Sequence, residues 1–219
     1  IAQIRAYKPQ SSSLGCGQVL HCPYTADKAR IVVQEMIDGI SLELVEKRLV
    51  TDQLVLTVGY DIENLTRPEI RKVYKGPVTT DRYGRRVPKH AHGTWNLPRA
   101  TSSSSELLEA MAALYDKIVN PALLIRRMSL SACHVVNEKM AKEREQKETF
   151  EQLDLFTDYA KKEAKEKEEQ KKRERERRMQ EALLTIKKKY GKNAVLRGMN
   201  FEEGATAKER NGQIGGHQA

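Results

Sequence analysis

Basic side chains are the first candidates for chemistry in this chain. Residues 62–89 contain eight of them, interrupted by three prolines: Arg67, Arg71, Lys72, Lys75, Arg82, Arg85, Arg86 and Lys89. Tyr74, Tyr83 and Gly84 lie among them. Loops of this composition often contact phosphate and sugar groups, because guanidinium and ammonium groups donate hydrogen bonds to phosphate oxygens. The pattern predicts a phosphate-binding loop, although a solvated loop with no partner would have the same composition.

Two histidines and three cysteines are candidates for metal chemistry. His90 and His92 are two apart and would share one face of a strand, a spacing compatible with a metal site. No nearby Cys, Asp or Glu completes such a site, which favours surface histidines or histidines that face nucleic acid. Cys16, Cys22 and Cys133 are scattered and form no CxxC pair. The sequence therefore predicts neither a disulfide framework nor a zinc site, and reduced thiols are expected.

An apolar cluster, Gln152-Leu153-Asp154-Leu155-Phe156, lies between two runs of charged and polar residues. Too few apolar neighbours surround it for a core of its own. An exposed apolar cluster with a polar rim is typical of a docking peptide. Alternatively, Phe150, Leu153 and Phe156 are three apart and could form one stripe of a helix that packs on the preceding residues. Spacing alone does not separate these two interpretations.

The net charge is positive in both parts of the chain. The 219 residues carry a formal charge of +9, and 32% of them are charged while only 5% are aromatic, so not every segment can enter a core. Residues 1–137 hold 18 Lys and Arg against 13 Asp and Glu, and the remainder holds 21 against 17. A basic face on the folded part favours an anionic partner. The mixed charge of the tail indicates solvation more than binding.

Periodicity and capping residues predict six elements before residue 138. In chain order they are a strand at 11–20, a helix at 25–44, strands at 51–61 and 89–96, a helix at 103–118 and a strand at 124–136. Thr25 is a good N-cap for the first helix, and Ser103 with Glu106 has the spacing of a capping box for the second. Residues 62–89 are predicted to be a long loop between two strands.

This order of elements predicts an α+β fold: a four-stranded antiparallel sheet with two helices on one face, in βαββαβ order. The apolar stripe of each helix must be buried, whereas the other face of the sheet can stay in water. In the last strand Met128 and Leu130 fall on one face, while Arg127, Ser129 and Ser131 fall on the other. We therefore expect the helix-free face to carry basic residues, although Arg and Ser would serve equally well on an ordinary solvent face.

Several short motifs resemble the little finger domain of Y-family DNA polymerases, the translesion enzymes of the DinB and UmuC branch. They are Ser12-Ser13-Leu14-Gly15 and Ile125-Arg126-Arg127-Met128-Ser129-Leu130. Val50-Thr51-Asp52-Gln53, Gly59-Tyr60-Asp61 and His90-Ala91-His92-Gly93-Thr94 are similar to the UmuC-like branch of Gram-positive bacteria. The resemblance covers residues 11–137.

In that family the little finger domain grips duplex DNA beside the active site, largely through phosphates. The resemblance implies that Arg126 and Arg127 make such contacts, with Ser13 at the first strand. The basic loop is longer than the short hairpin of simpler family members. The DNA-binding roles predicted for Lys75, Arg85, Arg86, Lys89 and His92 therefore rest on charge and position alone.

The apolar cluster resembles the motif by which bacterial replication and repair proteins bind the sliding clamp, the beta subunit. All four specifying positions are present, as Gln152, Leu153, Leu155 and Phe156. In the motif the Gln forms hydrogen bonds at the pocket rim, and the last Leu and Phe fill an apolar pocket. A clamp-binding motif directly after a little finger domain is the usual arrangement in these polymerases, so the resemblance implies a clamp partner.

The resemblance also implies what this chain should lack. Nucleotidyl transfer needs carboxylates that hold two metal ions, Mg²⁺ in the parent polymerases, and in this family they lie in the palm domain. No acidic constellation here resembles a palm motif, so we expect no cofactor and no polymerase activity from this chain as it stands. The chain begins with Ile1 rather than Met and is expected to be the C-terminal piece of a longer bacterial protein.

The predicted organisation has six segments. Residues 1–10 are a linker from a thumb domain, 11–137 the little finger domain, 138–148 a charged linker, 149–158 the clamp-binding peptide, 159–190 a charged helix and 191–219 a flexible tail. The last residues could dock weakly on a recombinase filament, although a disordered end is the simpler interpretation. No apolar run reaches membrane-spanning length, so no membrane partner is expected. The resemblance implies a cytoplasmic, nucleoid-associated protein of the SOS response.

Two other classes of function are compatible with the same element order. One is an RNA-binding or ribosome-associated module of split αβ architecture, which would need aromatic residues on the open sheet face for base stacking. The other is a structural interaction protein in which the charged helix is the active part. Primer-template DNA binding, with a sliding clamp as second partner, is the function that the motifs favour.

Overall fold

The computed structural model describes residues 12–148 and 159–213, and its first six major elements follow the predicted order. The strands are β1 (Leu14–Tyr24), β2 (Leu49–Tyr60), β3 (Val78–Thr80), β4 (Arg86–Pro88), β5 (Ala91–Thr101), β6 (Ile125–Cys133) and β7 (Val136–Asn137). The helices are α1 (Ala26–Lys47), α2 (Glu63–Thr66), α3 (Pro68–Val73), α4 (Ser104–Ile118), α5 (Glu138–Glu148), α6 (Tyr159–Tyr190) and α7 (Ala207–Arg210), with a 3₁₀ turn at Gly198–Phe201.

The main sheet is antiparallel, with the strand order β1-β6-β2-β5 and the short β7 paired to β2. The predicted antiparallel sheet is therefore confirmed, but the predicted count of four strands is wrong because β7 is a fifth. The strand predicted at 124–136 is interrupted at His134, where a φ of 52° turns the chain. Val136 then pairs with Val50 at the beginning of β2.

Helices α1 and α4 cover one face of the main sheet, and the hydrophobic core lies between them and the sheet. Buried residues from both layers meet in one cluster, which includes Leu54, Leu56, Val58, Met128, Leu130, Val33, Ile37, Leu107, Met111 and Leu114. Ser103 caps α4, since its Oγ accepts the backbone N–H of Glu106 at 3.3 Å. The Glu106 carboxylate pairs with Arg99 instead of completing a capping box. Within residues 12–148 and 159–213, no helix covers the opposite face of the sheet.

The residues between β2 and β5 are not the long loop that their prolines and charges predict. They form α2, α3 and a hairpin of β3 and β4. Asp61 stabilises the beginning of α2 by accepting the backbone N–H of Glu63 at 2.8 Å. In the hairpin, Asp81 accepts the backbone N–H groups of Tyr83 and Arg85, each at 2.9 Å. Such short elements contain too few periodic apolar residues to be recognised in the sequence.

Helices α5 and α6 follow the sheet. The residues predicted to be a charged linker, 138–148, form α5, and α6 covers the segment for which a charged helix is predicted. Helix α6 contacts the beginning of α4 through polar side chains. Gln180, which is 1% exposed, donates to Ser102 O at 3.0 Å and to Ser104 Oγ at 2.8 Å. Glu176 of α6 accepts the backbone N–H of Ser105 at 2.8 Å. A side chain of α6 thus satisfies one of the N–H groups in the first turn of α4, which have no partner within their own helix.

Residues 198–210 pack on α1 and β1, which differs from the flexible tail predicted for 191–219. Glu35 of α1 is 4% exposed. Its carboxylate accepts the backbone N–H groups of Thr206 at 2.8 Å and Ala207 at 3.0 Å, and the side-chain amide of Asn200 at 2.8 Å. Gln18 of β1 donates to Thr206 Oγ1 at 3.0 Å. These contacts are polar and join residues far apart in sequence, so the glycine-rich composition gives no sign of them.

The packing of β1 against its surroundings predicts unequal reactivity of the cysteines. Burial raises the pKa of the Cys16 thiol to about 11, although the nearby Arg210 guanidinium opposes the shift, whereas Cys22 is exposed. Because the thiolate is the reactive form, we expect iodoacetamide at about pH 8 to alkylate Cys22 roughly 100-fold faster than Cys16. Peptide mass spectrometry measures both rates, and the denatured chain is the control. Equal rates in the folded chain would contradict the packing of β1.

Candidate nucleic-acid interface

The helix-free side of the main sheet, here called the bare face, consists of four rows of residues that run across the strands. The rows are Gly15, Ser131, Val55 and Thr94; Gly17, Ser129, Thr57 and His92; Val19, Arg127 and Gly59; and Cys133, Gln53 and Asn96. Most of these side chains are small or neutral and polar, and among the described residues none of the rows contains Phe, Tyr or Trp. The bare face is therefore a largely polar surface with one cationic side chain.

Hydrogen bonds between strands order the polar residues of the bare face. Gln53 Nε2 donates to Asn96 Oδ1 at 2.9 Å, and Thr57 Oγ1 lies 2.9 Å from His92 Nδ1. His92 is exposed at the edge strand β5, so the structure places this predicted site residue on the bare face. Because most side chains of this surface are short, an extended phosphodiester backbone can approach the sheet closely.

Arg127 is the cationic residue of the bare face. It has space there because Gly59, on the neighbouring strand β2, has no side chain. A Cβ atom placed on Gly59 of β2 would lie 2.6 Å from Cγ and 2.7 Å from Nε of Arg127. The Arg127 side chain therefore lies flat over Gly59. Arg127 is exposed, and within residues 12–148 and 159–213 no carboxylate pairs with it. Its guanidinium group is available to an anion.

Arg126 has a different environment, although the sequence predicts the same role for both arginines. The register between β2 and β6 shifts at Gly59 and Tyr60, which leaves Arg126 at a bulge. Its Nη1 donates to His21 O at 3.0 Å, and its Nε lies 3.7 Å from the Asp61 carboxylate. Arg126 lies beside the bare face, with part of its charge already compensated. Of the two arginines, Arg127 is the one without a carboxylate partner in the described ranges.

The predicted basic residues of the 62–89 segment do not form one cluster. Arg85 lies in a cleft between the β3–β4 hairpin and the main sheet, whose lining also includes Arg126 and Arg127, whereas Lys75, Arg86 and Lys89 are exposed outside this lining. Arg85 pairs with Asp81 at 2.8 Å. The backbone N–H of Arg85, followed by its side chain, lowers the pKa of the Asp81 carboxyl, so this pair stays ionised at neutral pH.

Ser13 lies away from the arginines. Ser13 is exposed and lies just before β1, whose first residue, Leu14, pairs with Ala132. Arg127 pairs with Val19, which is six residues after Ser13. This separation is about 20 Å along the strand. A duplex that contacts both positions must therefore follow the length of β1.

Sequence reasoning did not select Gln53 and Asn96 as site residues, and it named Arg82 and Tyr83 only as members of the basic segment 62–89. Arg82 and Tyr83 line the cleft on the hairpin side, and Gln53 and Asn96 belong to one row of the bare face. The alternation of β2 and β5 predicts the outward direction of Gln53 and Asn96 and could have identified them. Nothing in the sequence predicts that the hairpin bends back towards the sheet.

Neither a metal site nor a membrane-spanning element is found in the described part of the chain. No group of three or more His, Cys, Asp and Glu side chains there is arranged to hold a metal ion. Among the helices in those ranges, none has the length and apolar character required to span a bilayer. The predicted clamp-binding residues Gln152, Leu153, Leu155 and Phe156 lie outside the described residues, as do 1–10, so their predicted roles remain predictions.

Comparisons with known proteins found structural neighbours but no match in sequence. No protein-family model matches the sequence, and no curated protein matches it. Among solved structures, the chain is similar to one described as a complex of beta-clamp processivity factor and little finger domain of PolIV. The match covers 67% of this chain and 100% of that chain, with 9% sequence identity and a TM-score of 0.36. This TM-score is too low to establish a shared fold.

Proposed function

We propose that this chain is the DNA-binding and clamp-tethering C-terminal region of a Y-family DNA polymerase that acts in translesion synthesis and DNA repair. The observation that carries the proposal is the bare face, where Arg127 lies over Gly59 among small polar residues. The motifs of the sequence that resemble the little finger domain contribute to this same surface, since they include β6 and the beginning of β1.

The chemistry of the bare face favours phosphate contacts over base readout. Arg127 has no carboxylate partner in the described ranges, and the serine hydroxyls of Ser129 and Ser131 can donate to phosphate oxygens. Residues 1–137 carry more basic than acidic residues, which attracts a polyanion over a longer range. A surface of this kind holds duplex DNA with little dependence on its sequence.

The residues of the bare face favour DNA binding over RNA binding. Single-stranded RNA platforms use aromatic side chains on the open sheet face. The bare face presents Ser129, Thr57 and Thr94 at the corresponding central positions, and Trp95 is packed against the hydrophobic core on the other face.

The proposal divides the work between this chain and the rest of a polymerase. Arg127 and its neighbours hold the duplex, and Gln152, Leu153, Leu155 and Phe156 bind the sliding clamp, which keeps the polymerase near the primer end. Nucleotide addition with Mg²⁺ would belong to a palm domain. The chain alone is therefore proposed to bind DNA and clamp in the bacterial cytoplasm and to add no nucleotide.

Salt dependence and one substitution test the DNA-binding part of the proposal. Affinity for a blunt DNA duplex should fall linearly on a log–log plot against salt, since bound phosphates release counterions. Arg127→Gln should weaken binding severalfold and reduce the slope of this plot by about 1. Fluorescence anisotropy with a labelled duplex measures both quantities.

Arg30→Gln is the matched control for this experiment. Arg30 is an arginine on α1, the helical side of the domain, and it pairs with Asp116 at 2.9 Å. Its loss should leave the slope unchanged. An affinity that hardly changes with salt, or equal slopes for Arg127→Gln and the unaltered chain, would show that the bare face does not bind phosphate.

A further inference from the structure

The tip of the β3–β4 hairpin presents an aromatic ring with two arginines close to it. Tyr83 is 65% exposed. The guanidinium carbon of Arg82 lies 4.7 Å from the centroid of the Tyr83 ring, and that of Arg85 lies 5.1 Å from it. Arg82 also donates a hydrogen bond to the Tyr83 hydroxyl. Stacked guanidinium and phenol groups of this kind form a platform for a nucleic-acid base, because every base has a π-face.

The hairpin holds this platform in place before any ligand binds. The β3–β4 pairing runs from Val78 with Pro88 to Thr80 with Arg86. Asp81 then fixes the turn through the backbone N–H groups of Tyr83 and Arg85, and Gly84 supplies the positive φ of 77° that the turn requires. A rigid aromatic side chain binds at a low cost in conformational entropy.

The cleft between the hairpin and the main sheet has an excess of available positive charge. Each carboxylate in its lining already has a basic partner or a capping role: Asp81 pairs with Arg85, Asp61 with Arg126 and Glu63 with Arg67. Arg82 and Arg127, by contrast, have no carboxylate partner in the ranges that the structure describes. An anionic backbone can therefore enter the cleft between the Tyr83 platform and the bare face.

We propose that the β3–β4 hairpin binds an unpaired stretch of DNA next to the duplex, with a base stacked on Tyr83 or on the guanidinium group of Arg82. Arg127 and Arg126 contact the phosphates that follow, where the strand enters the bare face. This inference rests on the proposed function, which places duplex DNA on the bare face. Bases inside a duplex are stacked on one another, so only unpaired bases have a face free for Tyr83.

Two DNA probes and three variants of the full chain test this proposal. The probes are a blunt duplex and the same duplex with a single-stranded 5′ oligo-dT overhang. Tyr83→Ala should weaken binding of the overhang probe by about tenfold and leave blunt-duplex binding unchanged, while Tyr83→Phe should retain the affinity for both. Tyr190→Ala is the matched control, because Tyr190 is 66% exposed and has the Lys189 ammonium 5.1 Å from its ring centroid.

The outcomes separate this inference from the proposed function. If Tyr83→Ala loses affinity equally for both probes, or for neither, the hairpin site is overturned. Unchanged affinity for both probes is also the result expected if the hairpin binds a protein instead. Failure of the unaltered chain to bind the blunt duplex refutes the proposed function. Because Tyr83 is exposed, circular dichroism should give the same unfolding temperature for all variants, which excludes misfolding as the cause of a loss.

Discussion

Replacing Leu155 and Phe156 together by alanine is expected to abolish binding of the full chain to a bacterial sliding clamp. In the motif that these residues resemble, the two side chains fill an apolar pocket, and truncating residues of this kind at an interface costs about 2 kcal/mol or more each. The two losses together should therefore raise the dissociation constant by about 1,000-fold. Isothermal titration calorimetry with purified clamp measures the change, and DNA affinity in the same sample should not change.

Phe150→Ala is the control that separates the motif from its alternative. Phe150 lies outside the four specifying positions, but it belongs to the stripe of Phe150, Leu153 and Phe156 that a packed helix would bury. If the residues bind the clamp, Phe150→Ala keeps most of the affinity. If they pack on the domain, Phe150→Ala and Phe156→Ala lower the thermal stability alike and clamp binding is absent in every variant, which would remove the tethering function.

Replacing Glu35 by alanine is expected to detach the C-terminal residues from α1 and to lower the free energy of unfolding by about 2–4 kcal/mol. Glu35 is buried and accepts hydrogen bonds from Asn200, Thr206 and Ala207. Its removal leaves those donors without their charged acceptor. One hydrogen bond to a charged group contributes about 1.5–3 kcal/mol, and the detached donors recover part of the total loss by bonding to water. Chemical denaturation measures the stability, and hydrogen exchange of residues 198–210 measures the detachment.

Glu43→Ala is the matched control for the Glu35 prediction. Glu43 is a glutamate on the same helix, but it is partly exposed and pairs with Lys47 one turn away. Exposed pairs of this spacing contribute only about 0.3–0.5 kcal/mol, so its loss should change little. Equal effects of Glu35→Ala and Glu43→Ala, with unchanged exchange at 198–210, would show that the C-terminal residues do not depend on the Glu35 contacts.

The sequence by itself determined the layers of the domain. The apolar residues of α1 and α4 recur with a helical period, and apolar and polar residues alternate along β2 and β6. Each element therefore has one apolar side that must be buried. The same alternation placed Arg127, Ser129 and Ser131 on the face opposite the core. These features are local in sequence, because one element contains the whole pattern that defines its buried side.

Only the tertiary structure decided which of these residues work together. The bulge at Arg126, the space above Gly59 for Arg127 and the return of the β3–β4 hairpin depend on the pairing of strands distant in sequence. The docking of Gln180 and the burial of Glu35 likewise depend on partners about 80 to 170 residues away. A hydrogen bond between distant polar groups leaves no periodic pattern in the sequence, because its geometry exists only after the core has brought the two groups together.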